Sequence, residues 1–238
     1  MTTPEHIFMM NDARDILHRV QNSYQKLIRA EDIPRSLLND VRNFLNNIES
    51  ALDYIAFEVF NKYCLMTITD PAKIESAKRA VNFPLHKETE FTRKIDKVFP
   101  DLRTNNPDII DVFEKCQPYN HPGEYWLPLF NKLVNNNKHR ELEKQRISST
   151  STIHNMIDAN GNTFTNVTFQ GFSADMKIDG NEVNLRTFNN HPHIRFLDAT
   201  VRVDFIFKSL NTPVLPALTS IYIGANSVVN EINMLLNK

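Results

Sequence analysis

Seven apolar residues, Leu38, Val41, Leu45, Ile48, Leu52, Ile55 and Val59, stand alternately three and four apart, and no other feature of the chain limits its fold so tightly. That spacing gathers them on one face of an α-helix of about six turns. The stripe opens just after the break at Ile33-Pro34. A helix this long with one apolar face needs a partner, and the preceding segment offers one. Ile7, Met10, Leu17, Val20, Tyr24 and Leu27 recur at steps of three, four and seven, behind a Thr3-Pro4 start that suits an N-cap followed by Pro at the first helical position. Two long helices with so short a connection lie antiparallel, so a helical hairpin is the expected nucleus of the fold.

Between Pro71 and Cys116 the periodicity predicts short helices near 71–80, 87–98 and 107–116, separated by Asn82-Phe83-Pro84 and Phe99-Pro100. Another helix is expected from near Glu124, carrying Trp126, Leu129, Phe130, Leu133 and Val134. Its run into Asn135-Asn136-Asn137 predicts a kink, or a break where Asn136 or Asn137 caps a new helix. After Arg146 the pattern turns to β. Residues 153–158 and 163–172 flank Asn160-Gly161, and residues 174–178 and 183–188 flank Asp179-Gly180, both hairpin signals. Residues 196–210 alternate Val201, Val203, Phe205 and Phe207 against Arg202, Asp204 and Lys208. A final amphipathic helix carries Leu218, Ile221, Tyr222, Ala225, Val229, Ile232, Leu235 and Leu236. The expected class is α+β, with a helical bundle over 1–147 and an antiparallel sheet of about five strands over 148–211. A C-terminal helix over 212–238 returns to the bundle, and the whole is read as one cooperative domain.

Charge and composition remove several functions. The chain has 238 residues with 27 Lys and Arg against 28 Asp and Glu, and neither the first 150 residues (21 basic, 21 acidic) nor the remainder (6 and 7) is basic. Bulk electrostatic binding of nucleic acid is therefore disfavoured. No apolar run approaches a bilayer span and the start lacks the pattern of a signal peptide, so a cytoplasmic protein without membrane attachment is expected. Cys64 and Cys116 are read as small buried hydrophobes. Gly is scarce at 5, Asn is abundant at 28, and the Walker, dinucleotide-binding, zinc-protease and hydrolase-elbow motifs are all missing. No cofactor and no metal are expected; His191-Pro192-His193 lacks a companion ligand and is read as loop.

Two constellations remain. Arg42, Asn46, Glu49 and Asp53 form a polar stripe one residue behind the apolar one, at the edge of the core. It reads either as a solvated flank with internal pairing or as a setting in which Asp53 turns inward to a cation, with Arg140 the candidate. In Asn135-Asn136-Asn137-Lys138-His139-Arg140, Asn135 and His139 share a helical face. A His beside an Arg is equipment for metal-independent RNA cleavage, imidazole moving a proton and guanidinium steadying the phosphorane. It equally serves as a surface or capping feature. Gln117-Pro118-Tyr119 and His121-Pro122 are read as the turn into the Trp126 helix, with the Tyr ring packed over the bundle.

In order, Ala51-Leu52-Asp53-Tyr54-Ile55-Ala56, Asn82-Phe83-Pro84-Leu85, Gln117-Pro118-Tyr119 and Leu133 to Leu142 resemble an uncharacterised bacterial family with LD-x-x-A, FP-[IL], QPY and N-x-x-KHR blocks. That family is similar in turn to the HEPN helical superfamily, which holds metal-independent endoribonucleases, partners of nucleotidyltransferases and inactive dimerising domains. The resemblance covers about residues 35–145 and implies a HEPN-like bundle. It puts Asp53, Asn135, His139 and Arg140 in the matched blocks as candidates for one functional pocket, with Gln117, Tyr119 and Lys138 in the same blocks and Arg42 and Glu49 of the polar stripe as further pocket or structural residues. The superfamily's nuclease motif has an Arg four to six residues ahead of the His, and none stands there before His139. The expectation is therefore a non-catalytic interaction or dimerisation protein in which Asp53, His139 and Arg140 form a structural network. The alternative is a metal-independent endoribonuclease or RNA-binding effector that uses His139 and Arg140. A homodimer and RNA are the partners these readings allow.

Overall fold

In a computed structural model, residues 3–27, 33–121, 126–139, 144–171, 175–178, 181–184 and 194–238 are described. They form two compact units. The first comprises Met1–Val20, Asn39–Leu142 and Pro216–Lys238, and the second Gln21–Leu38 and Glu143–Leu215.

Helix α1 (Glu5–Lys26) and helix α2 (Arg35–Val59) run antiparallel, as their spacing predicts. In the first unit His6 pairs with Glu58 at 2.8 Å and Arg19 with Asp40 at 3.4 Å, so low numbers on one helix meet high numbers on the other. The α2 stripe is the core it promised to be: Val41, Leu45, Ile48, Leu52, Ile55 and Val59 are buried, together with Leu37, Phe44, Ala51 and Ala56. Leu38 is only half-buried. On α1 the buried face is Met10, Ala13, Ile16, Val20 and Tyr24, with His6 wholly inside one turn before Met10, whereas Ile7 and Leu17 stand at its margin. The chain continues from α2 through a π-helical turn (Phe60–Cys64) and a 3-10 turn (Leu65–Thr67).

Helices α3 (Pro71–Ala80), α4 (Glu88–Val98), α5 (Leu102–Asn105) and α6 (Pro107–Lys115) follow the predicted punctuation. Asp70 caps α3 by accepting from Ala72 N at 3.0 Å, with Pro71 at the first position; Pro107 opens α6 in the same way. Helix α7 (Trp126–His139) continues through Asn135 to Asn137, so the predicted break into a new helix is absent. Asn135 answers its weak propensity with a side-chain bond one turn back, its Nδ2 donating to Asn131 Oδ1 at 3.1 Å. Helix α8 (Val214–Leu236) buries Leu218, Ile221, Ala225, Val229 and Ile232. Among the described residues no helix is long and apolar enough to cross a membrane.

The second unit carries strands β1 (Gln145–Asp158), β2 (Thr163–Gly171), β3 (Asp175–Ile178), β4 (Asn181–Asn184), β5 (Ile194–Phe207) and β6 (Thr212–Pro213). Every pairing is antiparallel. Where a single sheet of about five strands was expected, the described residues give a four-stranded sheet in the order β2-β1-β5-β6 and a separate β3-β4 hairpin that pairs only with itself. The expected β4 continuation over 185–188 lies outside the described residues. The β1-β2 turn is fixed by Asp158, whose carboxylate accepts from Asn160 N, Asn162 N and Asn162 Nδ2, while Gly161 supplies the φ of +87°. Gln145 and Ile147 register with Phe207 and Phe205. On this face Tyr24 stacks its ring on Phe205 with centroids 3.9 Å apart and donates its hydroxyl to Gln145 Oε1, so a buried phenol keeps a partner.

Gly224 marks a close approach within the helical unit. A Cβ there would overlap the indole of Trp126, the chain's one tryptophan, which is itself buried. A fused ring cannot swing aside as a flexible chain end does. Gly224→Ala is expected to destabilise the fold by about 2 kcal/mol despite its better helix propensity. Thermal melting followed by the Trp126 fluorescence measures both the loss and its location.

Candidate functional site

Between α3 and α4 the chain crosses the helical unit as an extended strap, Val81 to Lys87, with ψ of 119° at the first residue and 151° at the last. Pro84 forces this in part, because proline disfavours helical backbone at the residue before it. A strap with no ladder beside it must find other partners for its N–H and C=O groups. Two side chains provide them. Asp53, half-buried on α2, accepts from Phe83 N at 2.8 Å. Gln117, wholly buried after α6, accepts from His86 N at 2.9 Å through Oε1 and donates to Pro84 O at 2.9 Å through Nε2.

The second Nε2 hydrogen of Gln117 goes to Phe113 O at 2.7 Å. The next two carbonyls of α6 are met by the same turn, Asn120 Nδ2 donating to Glu114 O and the His121 ring to Lys115 O, each at 2.7 Å. Residues 117–121 thus bring three side chains to three carbonyls at the helix end, of which Glu114 O also accepts from Gln117 N. Rings close the arrangement: Phe83 meets Phe113 edge-on at 5.6 Å, Phe99 lies 5.3 Å from Phe113, and Tyr119 meets Phe91 edge-on at 6.3 Å. The Tyr119 hydroxyl also donates to Glu114 at 3.4 Å.

Three of the four sequence blocks are therefore bound together: Asp53 and Gln117 hold opposite ends of Phe83-Pro84-Leu85-His86. Arg42 is exposed and lies eleven residues ahead of Asp53 on the same helix, about 16 Å along its axis. Glu49 is half-buried and Asn135 is exposed on α7. Lys138 and His139 close α7, but their side chains lie outside what is described, as does Arg140 altogether. The proposed cation opposite Asp53 thus falls outside the described residues, as does His191-Pro192-His193.

The chemistry of the described groups is quiet. Burial pushes the Cys64 and Cys116 thiols up to about 12, so both stay protonated and unreactive at neutral pH. Burial and the neighbouring Glu114 raise Tyr119 to about 12. His86 is held below the ordinary histidine value, first by burial and then by Lys94, with Glu90 opposing. Among the described residues no group of three or more His, Cys, Asp or Glu is placed to hold a metal ion. Compared with protein-family models, curated proteins and solved structures, the chain finds no match.

Sequence reasoning missed His6 and His86. The first was legible, since position 6 lies four residues ahead of buried Met10 and so on the same helical face. The second was not, because its role is a backbone N–H that any residue but proline supplies.

Gln117→Leu keeps the volume but leaves Pro84 O, Phe113 O and His86 N without their partner. A loss of about 3 kcal/mol is expected in denaturant unfolding. His86 gives a pH signature. An unfolded histidine titrates near 6.5 and the folded one lower, so in that interval the unfolded chain binds the extra proton and stability falls as pH falls. The drop in melting temperature between about pH 7.5 and pH 5.5 is expected to be smaller in His86→Gln, which keeps the backbone bond to Gln117.

Proposed function

We propose that this protein is a non-catalytic interaction protein built on a HEPN-like helical bundle. The observation that carries the reading is the use to which Asp53 and Gln117 are put. Both stand in the blocks that mark the candidate site, and both are engaged with the main chain of the 83–86 strap. Asp53, an orienting group in the catalytic reading, has Oδ1 committed to Phe83 N, and the Gln117 amide has its acceptor and both donor hydrogens bonded inside the fold. Asp53 then serves structure through its bond to Phe83 N, and a structural rather than catalytic role for His139 and Arg140 is part of the proposal. The even charge balance fits a protein that meets other proteins rather than a polyanion, and the lack of a membrane-crossing helix among the described residues fits a cytoplasmic setting.

RNA cleavage in EDTA tests this directly. Wild-type protein is expected to leave a mixed-sequence RNA intact, and His139→Ala is expected to melt several degrees lower than wild type. Metal-free cleavage by wild type that disappears in a folded His139→Ala variant would replace this reading with the endoribonuclease, His139 moving the proton and Arg140 steadying the phosphate.

A further inference from the structure

Asn160-Gly161 is the one Asn-Gly pair in the chain, and the turn between β1 and β2 leaves both residues exposed. The pair is chemically labile. The Gly161 main-chain nitrogen can attack Asn160 Cγ: the N–Cγ bond forms, the Cγ–Nδ2 bond breaks, and the side-chain nitrogen leaves as ammonia with the proton from Gly161 N. Water then opens the five-membered imide at either carbonyl, giving an aspartate or an isoaspartate whose main chain runs through Cγ. A glycine on the C-terminal side favours this because no side chain shields its nitrogen. At Gly161 nothing lies within 4 Å of where a Cβ would stand, so sterics leave the reaction open.

Hydrogen bonds close it. Gly161 N donates to Asp158 O at 3.1 Å, and attack requires that nitrogen to give up its proton and turn onto Cγ, so this bond must break first. Asn160 N and Asn162 N donate to Asp158 Oδ1 at 2.9 and 2.8 Å, and Asn162 Nδ2 donates to Oδ2 at 2.7 Å. The buried carboxylate of Asp158 thus fixes the residues on both sides of the labile nitrogen. These bonds, that of the Asn162 amide foremost, hold Asp158 below the usual carboxylate range. Its charge opposes the negative charge that builds on Gly161 N as the proton leaves.

We infer that Asn160-Gly161 is a latent self-modification site that Asp158 holds shut, and that deamidation proceeds only when the turn opens. This goes beyond the non-catalytic reading and does not rest on it. The reaction removes its own restraint. An aspartate at position 160 sets a second carboxylate beside Asp158, and an isoaspartate adds a main-chain carbon inside the turn, so the N–H groups no longer converge on one oxygen. The β1-β2 pairing begins at Ile157 and Thr163, directly outside the turn, and β2 is the outer strand of the described sheet. Conversion therefore loosens an edge strand.

Incubation of the full chain at mildly alkaline pH, with aliquots digested and read by tandem mass spectrometry, measures the conversion. Deamidation adds about 1 Da, and fragmentation localises it and tells isoaspartate from aspartate. A synthetic peptide of residues 155–166 gives the unrestrained rate. Wild-type protein is expected to convert at position 160 at least about tenfold more slowly than the peptide, because the reaction waits on local opening. Asp158→Ala is expected to convert at least about fivefold faster than wild type, with circular dichroism confirming that the sheet is retained. Asp158→Asn keeps an acceptor oxygen without the charge; it is expected to fall between the two and replaces Asp158→Ala if that variant does not fold. Wild type that converts at the peptide's rate, or a folded Asp158 variant no faster than wild type, overturns the inference. Neither result touches the RNA assay, so this proposal and the non-catalytic reading fail separately.

Discussion

A strand-like segment laid among helices has no neighbour to satisfy its backbone, and the amide of Gln117 supplies what a second strand would have given. One buried side chain bonds the N–H of His86, the carbonyl of Pro84 and the carbonyl of Phe113, and so joins the strap to the end of α6. Asp53 fixes the other end of the strap to α2 through Phe83 N. The aromatic contacts among Phe83, Phe99 and Phe113 presuppose that geometry, since Phe83 reaches Phe113 only while the strap is held across the unit. Dispersion among these rings is non-directional, whereas the Gln117 bonds are directional, so the amide selects the arrangement and the rings stabilise it.

The same division between non-directional burial and directional bonds recurs in the second unit. Antiparallel pairing of β1 with β5 sets Gln145 opposite Phe207 and Ile147 opposite Phe205, and Tyr24 meets that face with its ring on Phe205 and its hydroxyl on Gln145. Without the hydroxyl bond the phenol would be a buried polar atom at a cost; with it, the bond fixes where along the strands the ring sits. At the far end of β1, Asp158 does for a loop what Gln117 does for the strap, spending its carboxylate on the backbone of Asn160 and Asn162.

Polar residues in this chain are thus drawn inward to serve the main chain, and the surface of α8 shows the converse. Its outward strip lacks the charges that the other long helices present to water. On the inner side the helix comes so close to Trp126 at Gly224 that a single added carbon would collide with the indole.

The sequence by itself determined the helices and their faces. The three-and-four spacing from Val41 to Val59 could be satisfied only by burying one side of a long helix, and the short link at Pro34 made its neighbour antiparallel. Pro71, Pro84 and Pro107 placed breaks that the fold respects, because proline's fixed φ and missing N–H act locally. Asn160-Gly161 placed a turn for the same reason. The asparagine run did not break α7, since helix propensity is a weak signal and a side-chain bond to Asn131 offset it within one turn. The candidate site was legible only as a set of positions. Asp53 and Gln117 could be picked out, yet their work is done on the N–H and C=O groups of Phe83, Pro84 and His86, which every residue carries and no sequence pattern marks. Which backbone group lies within 3 Å of a given carboxylate or amide is a property of the whole packing. Only the tertiary structure decided which backbone groups Asp53 and Gln117 hold in place.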